Sequence, residues 1–264
     1  MTRELRSYSA EGIVLRRRNI GEADSIFVVF GEAEGKFEGV ARGIRKARSK
    51  MRGHLEPLNY CRFQLARGRS LDVFTQAETI RSFAGIASDL DRWATASYLL
   101  ELVDRFTVER AEAPELFDLL FAALASLNEG ASLSLVARYF ELHVLSITGV
   151  DLQVDACASC QERLPQEEAL LAAAAGGLVC RACRPSAGVG RLVSVPAIKV
   201  LRHARRTSLP DFVALRVPDE VDRELQGALG DAIRYQVDRD LSTARFVREL
   251  GDRGRAATQT EQTL

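Results

Sequence analysis

The sequence predicts an α+β protein in which a small N-terminal β-barrel is followed by an α-helical domain with an inserted four-cysteine module. Three observations indicate this order. Short β-branched and aromatic runs, separated by glycine-bearing turns, fill residues 12–80. Apolar residues then recur at three- and four-residue steps, which is the period of an amphipathic helix. Residues 151–190 interrupt that period and contain four of the five cysteines.

Five strands are predicted in the first part of the chain. They are Gly12–Arg18, Ser25–Phe30, Lys36–Arg42, Asn59–Leu65 and Leu71–Thr75. Five short strands within so little chain are typical of a five-stranded OB-type β-barrel. An SH3-like barrel or a half-sandwich would give a similar pattern, so both stay open as alternatives.

Helices are predicted in the rest of the chain: Asp89–Arg110, Pro114–Leu127, Ser132–Thr148, Ser194–Arg206 and Asp219–Leu250. Asp89 suits an N-cap, and Pro114 suits a first helical turn. We therefore expect five segments: an OB-fold domain (1–82), a first helical part (83–150), a cysteine module (151–190), a second helical part (191–252) and a flexible polar tail (253–264).

The basic residues are unevenly distributed along the chain. The formal net charge is zero, yet residues 1–85 carry 16 Lys+Arg against 10 Asp+Glu. Six cations lie between Ala41 and His54 with no acidic residue among them: Arg42, Arg45, Lys46, Arg48, Lys50 and Arg52. Such a run predicts an electrostatic track for phosphates, with a merely solvated loop as the alternative. Arg16, Arg17 and Lys36 would extend the track, and Phe37 is the candidate for stacking on bases.

Two CxxC pairs have the spacing of a metal site. Cys157 and Cys160 form the first pair, Cys180 and Cys183 form the second, and nineteen residues separate them. Each turn directs two thiolates at one ion, so that two turns complete a tetrahedron. Four protein ligands leave no position for water, which predicts one structural zinc ion rather than a catalytic one. Disulfides or free core thiols are the alternative.

No motif in the sequence predicts catalysis. There is no complete G-x-x-x-x-G-K-[ST] loop. A zinc deaminase requires H-x-E together with P-C-x-x-C; His54-Leu55-Glu56 matches the first part, but Ala156 stands where the second part requires proline before Cys157. We therefore expect a protein that is not an enzyme and that uses no nucleotide. The N-terminus lacks the apolar core of a signal peptide, and the longest apolar run is too short to cross a bilayer. We expect a cytoplasmic, nucleoid-associated protein.

Several short motifs, taken in order, resemble those of the RecO family of bacterial recombination mediators. The resemblance covers nearly the whole chain. The motifs are Glu11–Arg16, Gly21–Asp24, Gly35-Lys36, Val40–Arg45, Leu71-Asp72, Thr75–Glu78, Arg138–Leu142 and Arg245–Val247.

The resemblance implies an OB fold, a helical domain and an inserted zinc module. It also implies binding of single- and double-stranded DNA, annealing of complementary strands without ATP, contact with the C-terminal tail of SSB, and action with RecR in loading RecA. An acidic tail that ends in apolar residues needs an apolar floor with a basic rim, for which the candidates are Leu99, Leu102, Arg105 and Arg202. The runner-up is an OB-fold plus zinc-ribbon factor that binds RNA or the ribosome, and a nuclease or other hydrolase is a third possibility.

Overall fold

The structure is a computed structural model that describes residues 7–237. Its first part is a closed barrel of five strands, in the order β1-β2-β3-β5-β4. The strands β3 and β5 pair in parallel, and the other neighbours pair antiparallel. This topology confirms the predicted OB-type barrel. The strand bounds are β1 Ser7–Ile20, β2 Asp24–Gly31, β3 Gly35–Ala41, β4 Tyr60–Ala66 and β5 Asp72–Arg81.

The barrel closes because β1 is long enough to pair with two neighbours. Its first half pairs with β4 and its second half pairs with β2. The register shifts between Val14 and Arg16, which marks a β-bulge. A bulge bends a strand and increases its twist, so that one strand can join both edges of a small barrel.

Aromatic side chains fill the interior of the barrel. Phe27, Phe37, Phe63 and Phe74 are all at most 2% exposed. The rings of Phe63 and Phe74 meet edge to face with centroids 5.2 Å apart. Edge-to-face packing of this kind adds to the free energy gained from burial alone.

The outer wall of the barrel is also apolar over β2. Since Phe27 and Val29 point inward, Ile26, Val28 and Phe30 point outward, and yet all three are buried. A helix covers this wall at Phe30, whose ring lies 6.1 Å from that of Phe117.

Helices follow the barrel; the longer ones lie close to where the sequence predicts them, and two short ones, 84–87 and 209–213, were not predicted. Their bounds are α1 Ala84–Ala87, α2 Leu90–Phe106, α3 Pro114–Asn128, α4 Leu133–Ile147, α5 Val195–Ala204 and α6 Leu209–Val213, and residues 219–237 are also helical (α7). Asp89 is the N-cap of α2, because its side chain accepts hydrogen bonds from two backbone N–H groups. The predicted continuation of α7 to Leu250, the tail 253–264 and the motif Arg245–Val247 lie outside the described residues.

The connection between α2 and α3 lies along β3. The backbone N–H of Arg110 donates to the carbonyl of Lys36 at 2.7 Å. Arg110 has a φ of 60°, in the left-handed region, and its guanidinium pairs with Asp72 at 2.8 Å. A Cβ atom at Gly35 would overlap the carbonyl oxygen of Ala111, so only glycine allows this close approach.

A buried ion pair lies within the helices. Arg138 and Glu141 on α4 are 6% and 2% exposed, and their side chains meet at 2.6 Å. The hydroxyl of Tyr98 on α2 donates to the same carboxylate at 2.8 Å. The three side chains therefore form one polar network between two helices, in which the ion pair is buried and Tyr98 is half-buried.

The described residues divide into two compact units. The barrel–helix unit contains residues 7–150 and 203–216, and the cysteine unit contains 151–202 and 217–237. The five predicted domain segments stay a prediction. No helix in residues 7–237 is long and apolar enough to span a membrane.

The cysteine unit is built on a three-stranded antiparallel sheet with the order β7-β6-β8. The bounds are β6 Ala169–Ala172, β7 Gly177–Val179 and β8 Arg191–Val193. The helix α7 is attached to β8, the last strand of this sheet in sequence, because Arg191 pairs with Asp231 at 2.8 Å and the hydroxyl of Ser194, directly after β8, donates to Glu224 at 2.8 Å.

Candidate metal centre and nucleic-acid interface

The four paired cysteines lie together in the cysteine unit. Their sulfur atoms all lie within 4.8 Å of one another, and the Sγ atoms of Cys160 and Cys180 are 3.9 Å apart. Four sulfurs bound to zinc at about 2.3 Å would be roughly 3.8 Å apart in a tetrahedron. The arrangement therefore fits a single four-coordinate metal ion and could hold one.

Local backbone turns bring the two pairs together. The first turn is closed by the N–H of Gln161, which donates to the carbonyl of Cys157 at 2.9 Å while Gln161 adopts a left-handed φ of 62°. The second is closed by the N–H of Cys183, which donates to the carbonyl of Cys180 at 3.1 Å. A hydrogen bond of 2.7 Å from Ala158 to Leu178 joins the first turn to β7, directly before Cys180.

The site favours the thiolate form of one ligand. Burial opposes ionisation of Cys157, but backbone N–H groups of Cys160, Cys180 and Ser159 lower its pKa to about 6. The thiolate is the form that binds metals. Arg163, Arg181 and Arg184 are the basic residues nearest in sequence, and Arg184 is already paired with Glu168 at 3.1 Å. Four cysteine ligands would leave no open position for water, which is the arrangement of structural sites.

The connection between β3 and β4 begins with residues 42–54, which contain six basic side chains and no acidic one, and we call this segment the basic loop. Ile44 is buried in the barrel core, as is Leu55 immediately after the loop. The N–H of Gly43 donates to the carboxylate of Asp24 at 2.7 Å, and that of Arg45 donates to the carbonyl of Ala23 at 2.9 Å. The loop is thus held against the turn between β1 and β2.

All six basic side chains of this loop are exposed. Within residues 7–237, none of the six forms an ion pair with an acidic side chain. The guanidinium of Arg45 donates only to the backbone carbonyl of Gly21, at 3.2 Å. The loop therefore presents uncompensated positive charge to solvent, as a phosphate-binding surface requires.

The other three predicted cations differ from those of the loop, because each faces an acid. Asp104 at the end of α2 pairs with Arg16 at 2.6 Å and with Lys36 at 3.2 Å. Arg17 pairs with Glu56 at 3.6 Å. Their charge is therefore compensated within the protein, and Lys36 is only 16% exposed.

The prediction that Phe37 stacks on bases is wrong. Phe37 is fully buried inside the barrel, with its ring centroid 6.4 Å from that of Phe63. Side chains alternate along β3, so that Lys36 and Glu38 point outward and Phe37 points inward. The outer face of β2 and β3, where OB folds commonly bind oligonucleotides, is moreover covered by α3 and by the α2–α3 connection.

Sequence reasoning missed two exposed arginines in the β4–β5 turn, Arg67 and Arg69. The parallel pairing of Gly39 with Asp72 brings this turn to the end of β3, where the basic loop begins. Arg67 lies over the ring of Tyr8 at 5.2 Å, and neither arginine pairs with an acid in the described part of the chain. The Arg-Gly-Arg turn could be recognised in the sequence. Its position beside the basic loop depends on the register between β3 and β5, which the sequence did not predict.

The four residues predicted to contact a partner do not form one groove. Leu99 and Leu102 are 0% and 3% exposed in the helical core, so the prediction that they line an exposed floor is wrong. Arg105 pairs with Glu101 on its own helix at 2.6 Å. Arg202 lies in the cysteine unit, where its guanidinium donates to the carbonyl of Val154 at 2.8 Å.

Comparisons with known proteins agree with this architecture. Residues 5–83 match the family model "Recombination protein O N terminal", and residues 87–245 match "Recombination protein O C terminal". A DNA repair protein RecO from Dehalococcoides mccartyi (strain ATCC BAA-2266 / KCTC 15142 / 195) is 33% identical, over 88% of this chain and 92% of the relative. A second, from Roseiflexus sp. (strain RS-1), is 34% identical over 93% of this chain and 86% of the relative. A third, from Moorella thermoacetica, is 32% identical over 92% of this chain and 91% of the relative. These matches support a role in DNA repair and recombination. The chain belongs to the RecO family of DNA repair proteins.

Proposed function

We propose that this protein is a non-catalytic recombination mediator that binds single- and double-stranded DNA and anneals complementary strands. The observation that carries the proposal is the basic loop, whose six exposed cations face no acid within the described residues. A protein that neutralises phosphates in this way gains affinity by releasing counterions from the DNA. Membership in a DNA repair family favours this function over the RNA-binding alternative.

The proposed mechanism depends on how the DNA is held. Cationic side chains of the basic loop contact phosphates, while the phenylalanine rings of the barrel strands are buried and offer no platform for bases. A strand held through its phosphates keeps its base edges free to pair. Neutralisation of the phosphates by these cations also reduces the electrostatic repulsion between two DNA strands. The free energy of DNA binding is then sufficient to bring the strands together. Annealing on this basis needs no nucleotide.

We further propose that the four cysteines bind one structural zinc ion. The spacing of the sulfurs and the lowered pKa of Cys157 support this assignment. Such an ion would join the turn at Cys157–Cys160 to the end of β7, and its binding free energy would contribute to folding. Its role would be to hold the cysteine unit together.

The proposed partners are RecR, the C-terminal tail of SSB and, indirectly, RecA. Family membership supports these proposals. In this scheme the protein contacts SSB where strands are already coated, and with RecR it helps RecA to load. The burial of Leu99 and Leu102 removes the surface first considered for the tail.

An annealing assay tests the proposed function. Two complementary oligonucleotides, either bare or coated with SSB, are mixed with the protein, with and without ATP, and duplex formation is followed by fluorescence quenching. We expect faster annealing in both cases without ATP. The partner is tested separately by coating the strands with SSB that lacks its acidic tail. If the tail is bound, annealing of these coated strands should be slower than annealing of strands coated with intact SSB. No acceleration, or a requirement for ATP, would contradict the mediator function, and magnesium-dependent cleavage would indicate a nuclease.

A further inference from the structure

The sulfur atoms of the four-cysteine cluster differ in how far a dissolved oxidant can reach them. Cys160 is exposed, Cys180 and Cys183 are half-buried, and Cys157 is fully buried. The fifth cysteine, Cys61, is fully buried in the core of the barrel. Because the oxidation of a cysteine follows its thiolate character and its exposure, Cys160 is the sulfur that an oxidant meets first.

A second sulfur lies close to Cys160 on the other turn. The Sγ atoms of Cys160 and Cys180 are 3.9 Å apart, whereas the S–S bond of a disulfide is about 2.05 Å long. The two sulfurs must therefore approach each other by roughly 2 Å. Rotation of an exposed side chain between its staggered positions moves a sulfur atom by at least this much.

Hydrogen bonds of the protein hold the two turns together independently of a metal ion. The N–H of Ala158 in the first turn donates to the carbonyl of Leu178 at 2.7 Å. The N–H of Cys180 in the second turn donates to the Sγ of Cys157 at 3.4 Å. These contacts keep Cys160 near Cys180, so that a covalent bond between the turns requires little movement of the backbone.

The proposed zinc ion leaves these sulfurs open to oxidation. Zinc binding requires cysteine ligands in the thiolate form, and the thiolate is also the form that attacks a peroxide. Zinc has no redox chemistry of its own, so any electrons given to an oxidant come from sulfur. The exposed ligand Cys160 is therefore the reactive point of the centre.

We infer that Cys160 is a site of modification by hydrogen peroxide and that the product is a disulfide between Cys160 and Cys180, formed with loss of the metal ion. In the first step the thiolate of Cys160 attacks one oxygen of the peroxide, the O–O bond breaks, and a sulfenic acid and a hydroxide ion form. In the second step the thiolate of Cys180 attacks the sulfur of the sulfenic acid, the S–O bond breaks, and a second hydroxide ion leaves. Two electrons pass from the two sulfurs to the peroxide, and two protons from the solvent convert the hydroxide ions to water.

The modification exchanges one link between the turns for a weaker one. Loss of two of the four ligands releases the metal ion, which joined all four sulfurs, while the disulfide joins only two and leaves Cys157 and Cys183 free. The cysteine unit therefore becomes less stable, because the binding free energy of the metal no longer contributes to its folding. A thiol reductant reverses the step. The inference rests on the proposed zinc ion and is independent of DNA binding.

The test treats the zinc-loaded, full-length protein with hydrogen peroxide. Released zinc is followed with a colorimetric chelator, free thiols are counted after denaturation, and the disulfide is located by mass spectrometry of peptides. We expect release of about one zinc ion per chain and loss of two of the five thiols. A cross-linked peptide pair should contain Cys160 and Cys180, and the Tm should fall. Dithiothreitol with added zinc should restore the starting state.

Two variants separate the exposed sulfur from the others: Cys160→His and its matched control Cys183→His. Each keeps four zinc ligands, because an imidazole nitrogen replaces one thiolate. Cys160→His should release zinc about tenfold more slowly than the wild type, because its exposed ligand cannot form a sulfenic acid or a disulfide. Cys183→His should still form the disulfide between Cys160 and Cys180 and release zinc at the wild-type rate.

Equal rates of zinc release from the two folded, zinc-loaded variants would overturn the inference. So would a main product with its disulfide inside one turn, either Cys157–Cys160 or Cys180–Cys183, or wild-type protein that keeps its zinc and all its thiols in excess peroxide. If a variant binds no zinc, the disulfide located in the wild-type protein decides. Wild-type protein purified without zinc would overturn the zinc proposal and the metal release together. Failure of strand annealing would remove the mediator function and leave the peroxide result standing.

Discussion

Removal of three cations from the basic loop gives the sharpest test of the DNA-binding proposal. The variant carries Arg45→Ala, Lys46→Ala and Arg48→Ala, all at exposed positions. Each phosphate contact with a single strand contributes about 0.7 to the slope of log affinity against log salt concentration. If all six cations contact phosphates, the loop contributes a slope of roughly 4, of which the variant loses roughly 2. At about 0.1 M salt this corresponds to binding about a hundredfold weaker.

The assay is anisotropy of a labelled oligonucleotide over a series of salt concentrations, with circular dichroism as a check of folding. A matched control removes the same net charge from three exposed arginines that already face an acid: Arg62, Arg105 and Arg191. We expect the control to keep the wild-type slope. An unchanged slope in the loop variant would place the DNA elsewhere. An equal loss in both variants would mean that net charge matters rather than the loop.

Three further predictions concern the metal, the buried ion pair and the buried thiol. Protein purified without added metal should contain about one zinc per chain by elemental analysis, and Cys157→Ser should lower that content and destabilise the cysteine unit; metal-free, folded protein with two disulfides would contradict this. Arg138→Leu removes the guanidinium that lies 2.6 Å from the buried carboxylate of Glu141, so urea denaturation should show a loss of about 3–5 kcal/mol in the free energy of unfolding, and a loss near zero would refute the importance of the pair. Burial raises the pKa of Cys61 to about 11, so that its contribution to stability is full below about pH 9 and is lost as the pH rises toward 11. A comparison of unfolding free energies with Cys61→Ala over this pH range should show a difference that changes by about 2 kcal/mol, and parallel pH profiles would contradict it.

Strand and helix positions could largely be predicted from the sequence, because periodicity is a local signal. There are exceptions: β1 begins at Ser7 rather than Gly12, and the three strands of the cysteine unit were not predicted. The strand β5 was expected to end at Thr75 and extends to Arg81. In its second half, exposed Gln76 and Glu78 alternate with half-buried Ala77 and Thr79. Because none of these four residues is large and apolar, the alternation was not recognised as a strand. The helix α2 ends at Phe106 rather than Arg110, because the next residues pair with β3 instead of continuing the helix.

The candidate sites differ in how far they could be predicted from the sequence. The cysteine cluster is built from two turns of four residues each, so the spacing of the cysteines in the sequence was sufficient to predict it. The pairing of Arg16 and Lys36 with Asp104 joins residues far apart in the chain, and no local pattern could reveal it. The inward position of Phe37 was in principle visible from the alternation along β3, whereas the covered outer face of the barrel depends on tertiary packing.

The apolar outer wall of the barrel sets an order of events during synthesis. The ribosome completes β5 before it makes α3, so the outward-facing ring of Phe30 remains without its contact to Phe117 while the helices are still being added. During that interval the nascent barrel presents a patch to which chaperones and other nascent chains can adhere. A truncated chain that ends after β5 would keep this patch permanently, and it would aggregate even if all five strands paired correctly.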